Sequence, residues 1–336
     1  MLILGIETSC DETSAAVIEE SAVLSNVISS QAVHLQFGGV VPELASRAHL
    51  RKIIPIVETS LAKAGKTLHQ IDGLAVTHGP GLIGALLVGV NYVKGLAAVL
   101  QKPFVGVNHI EGHVYSNFLG ESGLEPPLLC LIVSGGHTQL VVIAEHLKYR
   151  LIGTTRDDAV GEAFDKVAKL LGLPYPGGPQ VDKLAKTGDP GYVNFPIGLG
   201  RENTFDFSYS GLKTAVLNFV NRLDAEERKA RLADICASFQ KAAVAALVEK
   251  TLRAARTYQV HRIAVAGGVA ANSLLRSALK EQAEAYHLQV FFPEMQYCTD
   301  NAAMIARAGL ERLRRGFRSG LSLNAYPSLQ LGEEKG

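Results

Sequence analysis

The chain contains one sequence pattern twice. Residues 2–19, LILGIETSCDETSAAVIE, and residues 128–145, LLCLIVSGGHTQLVVIAE, each consist of an apolar run, a polar turn and a second apolar run. Two apolar runs joined by a short polar turn are typical of a β-hairpin. Because helix-like and strand-like stretches follow both copies, the duplication predicts an α/β protein with two similar lobes, each built on its own sheet.

Apolar periodicity places the remaining elements. The first copy is followed by strand 23–29, helix 42–64, strand 74–77, helix 82–100 and strand 104–107, and the second by helix 160–171, a long helix within 225–258, strand 262–266, helix 272–286, strand 289–292 and helix 299–315. We expect one lobe of residues 1–108 plus 299–325, a second of residues 109–298, and a flexible tail of residues 326–336. Ligands bind preferentially at domain interfaces, so we expect the functional site in the cleft between the lobes.

The charge of the chain is nearly balanced. Its 336 residues include 33 basic and 32 acidic side chains, for a net charge of +1, which excludes a broadly basic nucleic-acid coat but not a local patch. Two basic clusters are visible: Arg47, Arg51 and Lys52, and then Arg307, Arg312, Arg314, Arg315 and Arg318. Each is a candidate nucleic-acid contact or an ordinary solvated helix face.

The cysteine pattern favours a reducing compartment. The four cysteines, Cys10, Cys130, Cys236 and Cys298, form no CxxC pair. Their spacing argues against a zinc ribbon and against a disulfide framework, and it is consistent with buried thiols in a cytoplasmic protein.

No targeting or membrane segment is predicted. The start, MLILGIETSCDE, lacks the basic region of a signal peptide. Residues 82–100 form the longest apolar stretch, but Asn91 and Lys94 interrupt it, so we interpret it as a buried helix of a soluble protein.

The sequence His109-Ile110-Glu111-Gly112-His113 is the sharpest chemical signal. Histidines at i and i+4 lie on one helix face and can share a metal ion. A zinc protease requires the glutamate directly after the first histidine, whereas Glu111 comes one position later and lies on the opposite face of the helix. The spacing therefore predicts a metal site and excludes the protease, with a chance pair of histidines as the alternative.

A metal site needs further ligands, and Asp300 is a candidate. It lies in Thr299-Asp300-Asn301 at the start of the predicted helix 299–315. A residue at this position is also expected to cap the helix, and on the sequence alone capping is the preferred interpretation for Asp300.

Two glycine-containing turns are candidate anion sites. Ser134-Gly135-Gly136 lies between two predicted strands, and Gly267-Gly268 lies between a strand and a helix that starts near Asn272. Backbone N–H groups in such turns can bind phosphate. The alternatives are a plain hairpin turn and an ordinary strand–helix connection with Asn272 near the N-cap.

Acidic residues beside turns are the last candidates. Asp165 and Asp182 flank the turn Tyr175–Pro179, with Gly178 inside it, and carboxylates beside glycines suit recognition of a ribose hydroxyl. Glu12 lies in the first hairpin turn. The alternatives are solvent-exposed helix charges for the two aspartates and a turn-forming role for Glu12.

Six ordered segments together resemble the TsaD family, the transferases of tRNA threonylcarbamoyladenosine synthesis. The segments are GIETSCDETSAAV, HIEGH, IVSGGHTQL, GEAFDKVAKLLGLPYPGGP, GGVAANSLLR and CTDNAAMIA. The resemblance implies two duplicated actin-like lobes, of the type that sugar kinases and Hsp70 ATPases share. It also implies transfer of a threonylcarbamoyl group from threonylcarbamoyl-AMP to the exocyclic amine of the adenosine 3′ of the tRNA anticodon.

The resemblance also implies site residues, a cofactor and partners. The metal, Fe(2+) or else Zn(2+), would be held by His109, His113 and Asp300, which reverses the capping preference for Asp300. The adenylate site would consist of Ile132, Val133, Ser134, Gly135, Gly136, Asp165, Gly178, Asp182 and Asn272. One branch of the family has a tyrosine ligand where this chain has Ile132. The implied partners are tRNA, a TsaB-like paralogue, a TsaE-like ATPase and a TsaC-like enzyme that makes the adenylate.

The mechanism we expect is acyl-type transfer with AMP as the leaving group. Glu12 is the candidate proton acceptor, since the attacking amine must lose a proton. Two other functions remain open from the sequence. One is an actin-like small-molecule kinase or ATPase, which has no need of the histidine pair. The other is a non-catalytic partner, against which the intact motifs argue.

Overall fold

The computed structural model describes residues 1–31, 39–200 and 202–334 and divides the chain into two compact units. The first comprises Met1–Leu124, His146–Lys148 and Pro293–Gly336, and the second comprises Glu125–Glu145 and Tyr149–Phe292. Each unit contains one five-stranded sheet. This arrangement agrees with the two duplicated α/β sheets that the sequence predicts.

The sheet of the first unit has the order β3-β2-β1-β4-β5. The elements of this unit are β1 (Leu2–Glu7), β2 (Glu12–Glu19), β3 (Ala22–Ser30), α1 (Pro42–Ala64), β4 (Gly73–Gly79), α2 (Ile83–Leu100), β5 (Phe104–Asn108) and α3 (His109–Tyr115), with the C-terminal helix α10 (Ala302–Arg314). Strands β1, β2 and β3 form an antiparallel meander, whereas β4 and β5 run parallel to β1. The first copy of the repeated pattern is therefore a hairpin that continues into a parallel sheet.

Helices cover both faces of this sheet, which explains why every residue of β1 is buried. Leu4 and Ile6 pack with Val57 of α1 and Val90 of α2 in one apolar cluster. Gly5 faces the opposite side, where α10 approaches so closely that a Cβ would lie 2.7 Å from the Ala306 nitrogen. The close approach of α10 thus requires glycine at position 5, whereas Leu4 and Ile6 on the other face are large.

The sheet of the second unit has the order β10-β9-β6-β7-β8, which repeats the first sheet position by position. Its elements are β6 (Leu128–Val133), β7 (Thr138–Glu145), β8 (Lys148–Thr154), α4 (Val160–Leu170), α5 (Gly177–Ala185), α6 (Ser210–Val220), α7 (Ala225–Ala230), α8 (Leu232–Thr257), β9 (Arg262–Ala266), α9 (Ser273–Glu284) and β10 (Gln289–Phe291). Strands β6 and β7 form the second hairpin, and β9 runs parallel to β6 as β4 runs parallel to β1.

The boundaries of the two compact units differ from those expected for the lobes. Residues 109–124 belong to the first unit, because α3 follows directly on β5 and packs against α10. Residues 326–334 also belong to it: the Tyr326 nitrogen donates to the His78 carbonyl over 2.8 Å, and the Asn108 amide donates to the Gln330 carbonyl over 2.9 Å. These hydrogen bonds hold the segment that was expected to be a flexible tail, whose last two residues lie outside the described chain.

Among the described residues, α2 is the helix long and apolar enough to cross a membrane. Its buried residues, Ala85, Leu86, Gly89, Val90, Val93 and Ala97, recur at helical spacing and face the sheet. Lys94 donates to the Leu323 carbonyl over 3.0 Å. A stripe of this kind is what a helix packed with one face on a sheet requires, and 33% of this helix is buried.

Candidate metal centre and nucleotide-binding turns

The predicted histidine pair lies at the start of α3, immediately after strand β5. Asn108 ends the strand, and its side-chain oxygen accepts from the backbone nitrogens of Ile110 and Glu111 over 2.8 and 3.3 Å. This N-cap starts the helix at His109, so that His109 and His113 are one turn apart on the same face.

Asp300 completes a cluster of three ligand atoms. One atom each from His109, His113 and Asp300 lies within 4.8 Å of the other two. The Oδ1 atom of Asp300 is 3.2 Å from His113 Nε2 and 3.6 Å from His109 Nε2. Two imidazole nitrogens and one carboxylate oxygen at this spacing suit a divalent ion such as zinc or iron. The structure thus brings together the three side chains that the sequence proposed as ligands.

The surroundings of His113 fit a metal ion. Its side chain is 1% exposed, and within the described ranges neither ring nitrogen makes a hydrogen bond. The contact with Asp300 is close, but its geometry is not that of a hydrogen bond. Because a buried polar atom without a hydrogen bond is costly, a cation on Nε2 accounts for this arrangement.

Glu7 is part of the centre, although the sequence analysis did not single it out. Its Oε2 lies 3.1 Å from His109 Nδ1 and accepts from the Thr77 hydroxyl over 2.6 Å, while the Ser9 nitrogen donates to Oε1 over 2.5 Å. A carboxylate on one imidazole nitrogen orients the ring and leaves the other nitrogen for a metal. The available signal was a carboxylate at the end of a fully buried strand.

The electrostatics of this centre favour a cation. Burial lowers the pKa of His109, but the carboxylates of Asp300 and Glu7 outweigh it and raise that pKa to about 9. Burial, together with Asp300 and Asp11, raises the pKa of Glu12 to about 9. Burial is the main cause for Glu12 and opposes the shift of His109, but the neighbouring carboxylates raise the pKa of both groups, and a divalent ion would offset these carboxylates.

The capping interpretation for Asp300 was wrong. The cap of α10 is the next residue, Asn301, whose Oδ1 accepts from the Met304 nitrogen over 3.0 Å. Asp300 therefore lies just outside the helix, where its carboxylate faces the two histidines.

In the second unit, the turn between β6 and β7 is closed by Ser134. Its backbone nitrogen donates to the His137 carbonyl over 2.8 Å. Gly135 and Gly136 are exposed, and a Cβ on either would meet no atom within 4 Å. Ile132 and Val133 are fully buried within β6. Only residues 134–136 of this predicted segment are therefore open to a ligand, and Ile132 and Val133 support them from below.

The other predicted adenylate residues lie on helices α4 and α5 and at the start of α9 in the same unit. Asp165 of α4 accepts from the Gly177 nitrogen over 2.8 Å, which fixes the first turn of α5, where Gly178 lies half-buried. Burial raises the pKa of the Asp165 carboxyl. Asp182, farther along α5, accepts from the Ser273 hydroxyl over 2.7 Å. These bonds tie both aspartates to backbone or side-chain donors, so neither is a free surface charge.

Asn272 is the N-cap of α9, as its alternative interpretation proposed. Its Oδ1 accepts from the Leu275 nitrogen over 3.0 Å, and its Nδ2 donates to Gln240 over 2.9 Å. The preceding Gly267 has a φ of +93° and packs against the Val133 carbonyl, where only glycine fits. This strand–helix turn and the Ser134 turn therefore meet at the carboxyl end of β6, where α/β sheets bind ligands.

Comparison with known proteins identifies the family. A sequence model described as TsaD, tRNA N6-adenosine threonylcarbamoyltransferase, matches residues 22–307. The chain belongs to the TsaD family. Proteins named tRNA N6-adenosine threonylcarbamoyltransferase are 52% identical in Clostridium perfringens, over 99% of this chain and 98% of that protein, and 51% identical in Caldicellulosiruptor bescii over the full length of both.

Solved structures confirm the fold that a TsaD-family chain was expected to have. Full-length HypF in a phosphate- and nucleotide-bound form matches with a TM-score of 0.62 at 13% identity, over 94% of this chain and 47% of that one. An ROK hexokinase from Thermus thermophilus matches with a TM-score of 0.51 at 16% identity, over 93% of this chain and all of that one. At these identities the likeness concerns the actin-like fold alone, so it does not favour the kinase alternative.

The basic clusters of the sequence are only partly surface features. Arg312 is buried and pairs with Glu111, and Arg307 pairs with Glu311 on its own helix. Arg47 remains exposed beside Glu43. The C-terminal cluster is therefore a smaller candidate for nucleic-acid contact than the sequence indicated.

Proposed function

We propose that this chain transfers a threonylcarbamoyl group from threonylcarbamoyl-AMP to the exocyclic amine of the adenosine 3′ of the anticodon, in tRNAs that read codons beginning with A. Its membership of the TsaD family supports a tRNA-modifying transferase. The observation that carries the proposal to these residues is the cluster of His109, His113 and Asp300 within a chain that matches transferases from end to end. We place this reaction in the cytoplasm.

The three clustered side chains would hold the metal. When bound, a divalent ion supplies Lewis acidity toward a carbonyl or phosphate oxygen. Two histidines and one carboxylate are the ligand set of many non-haem iron(II) sites, so Fe(2+) is our first assignment and Zn(2+) the second. Ile132 offers no ligand atom, so three protein ligands leave room for water or substrate, as catalytic sites require.

The second unit would bind the adenylate part of the donor. Backbone N–H groups of Ser134, Gly135 and Gly136 are suited to the phosphate, because no side chain covers the two glycines. Asp165 and Asp182 are suited to ribose hydroxyls. Gly178 would allow close approach of the ligand, and Asn272 would hold the start of α9 in place, with Ile132 and Val133 as the buried base of the turn.

Glu12 would accept the proton that the attacking amine releases. It lies at the first residue of β2 and is only partly buried. The amine attacks the carbamoyl carbon, the bond from that carbon to the phosphate oxygen breaks, and AMP leaves. Without a metal the pKa of Glu12 is raised to about 9 by burial and Asp300, so Glu12 would serve as a base once a bound divalent ion offsets the neighbouring carboxylates.

The experiment is reconstitution of the full chain with iron(II), threonylcarbamoyl-AMP and an anticodon stem-loop RNA, with and without partner proteins. We expect N6-threonylcarbamoyladenosine in the RNA and AMP in equal amount. An RNA with guanosine in place of the target adenosine is the matched control. ATP turnover driven by a small-molecule acceptor, without RNA modification, would instead favour the kinase alternative.

The partners we propose are a TsaB-like paralogue, a TsaE-like ATPase and a TsaC-like supplier of the adenylate. Helix α1 exposes Leu50 and Ile54 to 64% and 53%, and α2 exposes Ile83 and Leu87. Exposed apolar side chains at helical spacing are typical of protein interfaces. Leu50→Asp/Ile54→Asp should abolish co-elution with the paralogue in gel filtration, and unchanged co-elution would exclude this surface.

A further inference from the structure

Glu111 lies between the two histidines in sequence, yet its carboxylate is bonded away from the metal centre. Its Oε1 lies 2.5 Å from Arg312 Nε and its Oε2 lies 2.9 Å from Arg312 Nη2. The glutamate side chain is fully buried and the arginine side chain is 7% exposed. The motif residue that the proposed reaction does not use therefore forms a buried, two-pronged ion pair.

This pair joins the two segments that carry the metal ligands. Glu111 belongs to α3 with His109 and His113, whereas Arg312 belongs to α10, which begins just after Asp300. Because successive residues turn by about 100°, Glu111 faces roughly opposite to the histidines. Any rotation or sliding of α3 that moved the histidines relative to Asp300 would have to break the two parallel hydrogen bonds on its other face.

The helices α3 and α10 also pack tightly next to this pair. A Cβ at Gly112 would lie 2.5 Å from the Ile305 side chain. Close packing sets the distance between two helices, but apolar contacts allow them to slide. The hydrogen bonds between Glu111 and Arg312 are directional, so they also fix the position of α3 along α10, which apolar packing alone does not.

The C-terminal segment, residues 326–334, contacts both the N-cap of α3 and Arg312 of α10. Both carboxylate oxygens of Glu334 lie 3.1 Å from Arg312 Nη1. The Asn108 side chain, which caps α3, donates to the Gln330 carbonyl over 2.9 Å. Residues 326–334 thus contact the start of α3 and the arginine that fixes its position.

We propose that Glu111 and Arg312 are positioning residues that set the distance from His109 and His113 to Asp300, with residues 326–334 as a brace. The inference rests on the proposed metal site. It adds a function for the glutamate of the motif, whose carboxylate pairs with Arg312 and is not part of the ligand cluster. Since ligand displacements of about 1 Å change metal-site function strongly, loss of this pair weakens metal binding without removing a ligand.

The test is titration of full-length, metal-stripped protein with Co(2+), followed by its visible d–d absorption. We expect Glu111→Gln to weaken Co(2+) binding by about 10-fold or more and to change the band intensities, which report ligand geometry. Arg312→Lys, which loses the two-pronged contact, should show a smaller loss, and Glu334→Gln a loss of about 3-fold or less, because its carboxylate is exposed. Glu311→Gln is the matched control, since it removes ion pairs of α10 that do not reach α3.

A second variant covers a failure of Glu111→Gln to fold. Glu111→Leu/Arg312→Met replaces the buried pair by apolar side chains, which proteins often tolerate without loss of stability. We expect this variant to keep its near-UV circular dichroism and still to bind Co(2+) at least about 10-fold more weakly than wild type. Wild-type affinity and spectrum in either folded variant would overturn the positioning role.

His109→Ala/His113→Ala separates the two hypotheses. If this variant binds Co(2+) as wild type does, the metal site itself is wrong, and the positioning role is excluded with it. If it loses Co(2+) while Glu111→Gln binds normally, the metal site stands and only the positioning role is wrong.

Discussion

The two candidate sites differ in the groups that they offer to a ligand: one offers side chains and the other offers backbone. The metal centre consists of side chains: His113 is almost fully buried, and the Glu7 carboxylate orients His109. The turns of the second unit consist of backbone, and Gly135 and Gly136 are exposed with open space where a side chain would begin. If both proposals hold, the first site would select its ligand by the donor atoms of its side chains, and the second by the open space above its glycines.

The largest effect we predict is from His113→Ala. Removing a ligand from a three-residue set should abolish iron and zinc binding and lower the transfer rate by at least ~10³-fold, since Lewis-acid stabilisation is worth several kcal/mol. Metal analysis by mass spectrometry and single-turnover assays measure both effects. If the variant keeps stoichiometric metal, His113 is not a ligand, and the side chains of this cluster do not define the metal site.

His78 is a second buried histidine that can be compared with His113. Like His113, it has a ring nitrogen without a hydrogen bond in the described part of the chain. Burial, together with Arg312, lowers the pKa of His78 to about 4, and it is not part of the ligand cluster. A lone buried nitrogen is therefore not sufficient for a metal site, so His78→Ala should leave the metal content unchanged.

Glu12→Gln has the next largest expected effect. Loss of a proton acceptor should lower the single-turnover transfer rate by ~10²-fold and leave the metal content unchanged. Glu19→Gln, at the exposed end of the same strand, is the matched control. Full transfer by Glu12→Gln would remove Glu12 from the mechanism.

Substitution in the glycine turn should have a smaller effect, and it should change KM and not the metal content. In Gly136→Ala the new methyl group enters open space, so the fold should persist while KM for the adenylate donor rises by roughly 10-fold. Gly161→Ala is the contrasting variant, because its Cβ would lie 2.5 Å from the Ser134 carbonyl. That substitution should lower the free energy of unfolding by about 1–3 kcal/mol. Equal KM values for wild type and Gly136→Ala would mean that the open space is not a ligand site.

The last effect we predict concerns the pH dependence of stability. Because the folded pKa of His78 is about 4, below its unfolded value, the unfolded chain binds a proton that the folded chain does not as pH falls below 6.5. Its contribution to the free energy of unfolding is therefore complete at pH 8 and about 2 kcal/mol smaller at pH 5. Urea unfolding at both pH values measures this contribution: the change in the free energy of unfolding from pH 8 to pH 5 should differ by about 2 kcal/mol between wild type and His78→Gln.

The sequence predicted most of what depends on local pattern. The two hairpins, the strands after them and the histidine pair are encoded in periodicity and spacing over a few residues, and the structure confirms these elements and adds that the later strands run parallel. Strand β8 and helices α5 and α6 were missed, since the prediction gave no bounded element within residues 146–159 and 172–224. Tertiary contacts decide such segments more than their own pattern does.

The contacts that complete the metal centre were beyond sequence reasoning. Glu7 meets His109 across 102 positions, and Arg312 meets Glu111 across 201. Neither partner is predictable from spacing, because only the folded sheet brings them together. The preference for Asp300 as a helix cap was wrong for a local reason: Asn301 is equally suited to capping and lies one residue closer to the helix.

The positions of the metal ligands in the chain determine when each is synthesised. The ligand set spans His109 to Asp300, and the contacts that hold α3 extend to Glu334. A nascent chain on the ribosome therefore has both histidines exposed long before it has the third ligand or the segment that secures them. At the proposed site, metal insertion would have to wait for the synthesis of Asp300, so a chain released before that residue should remain metal-free.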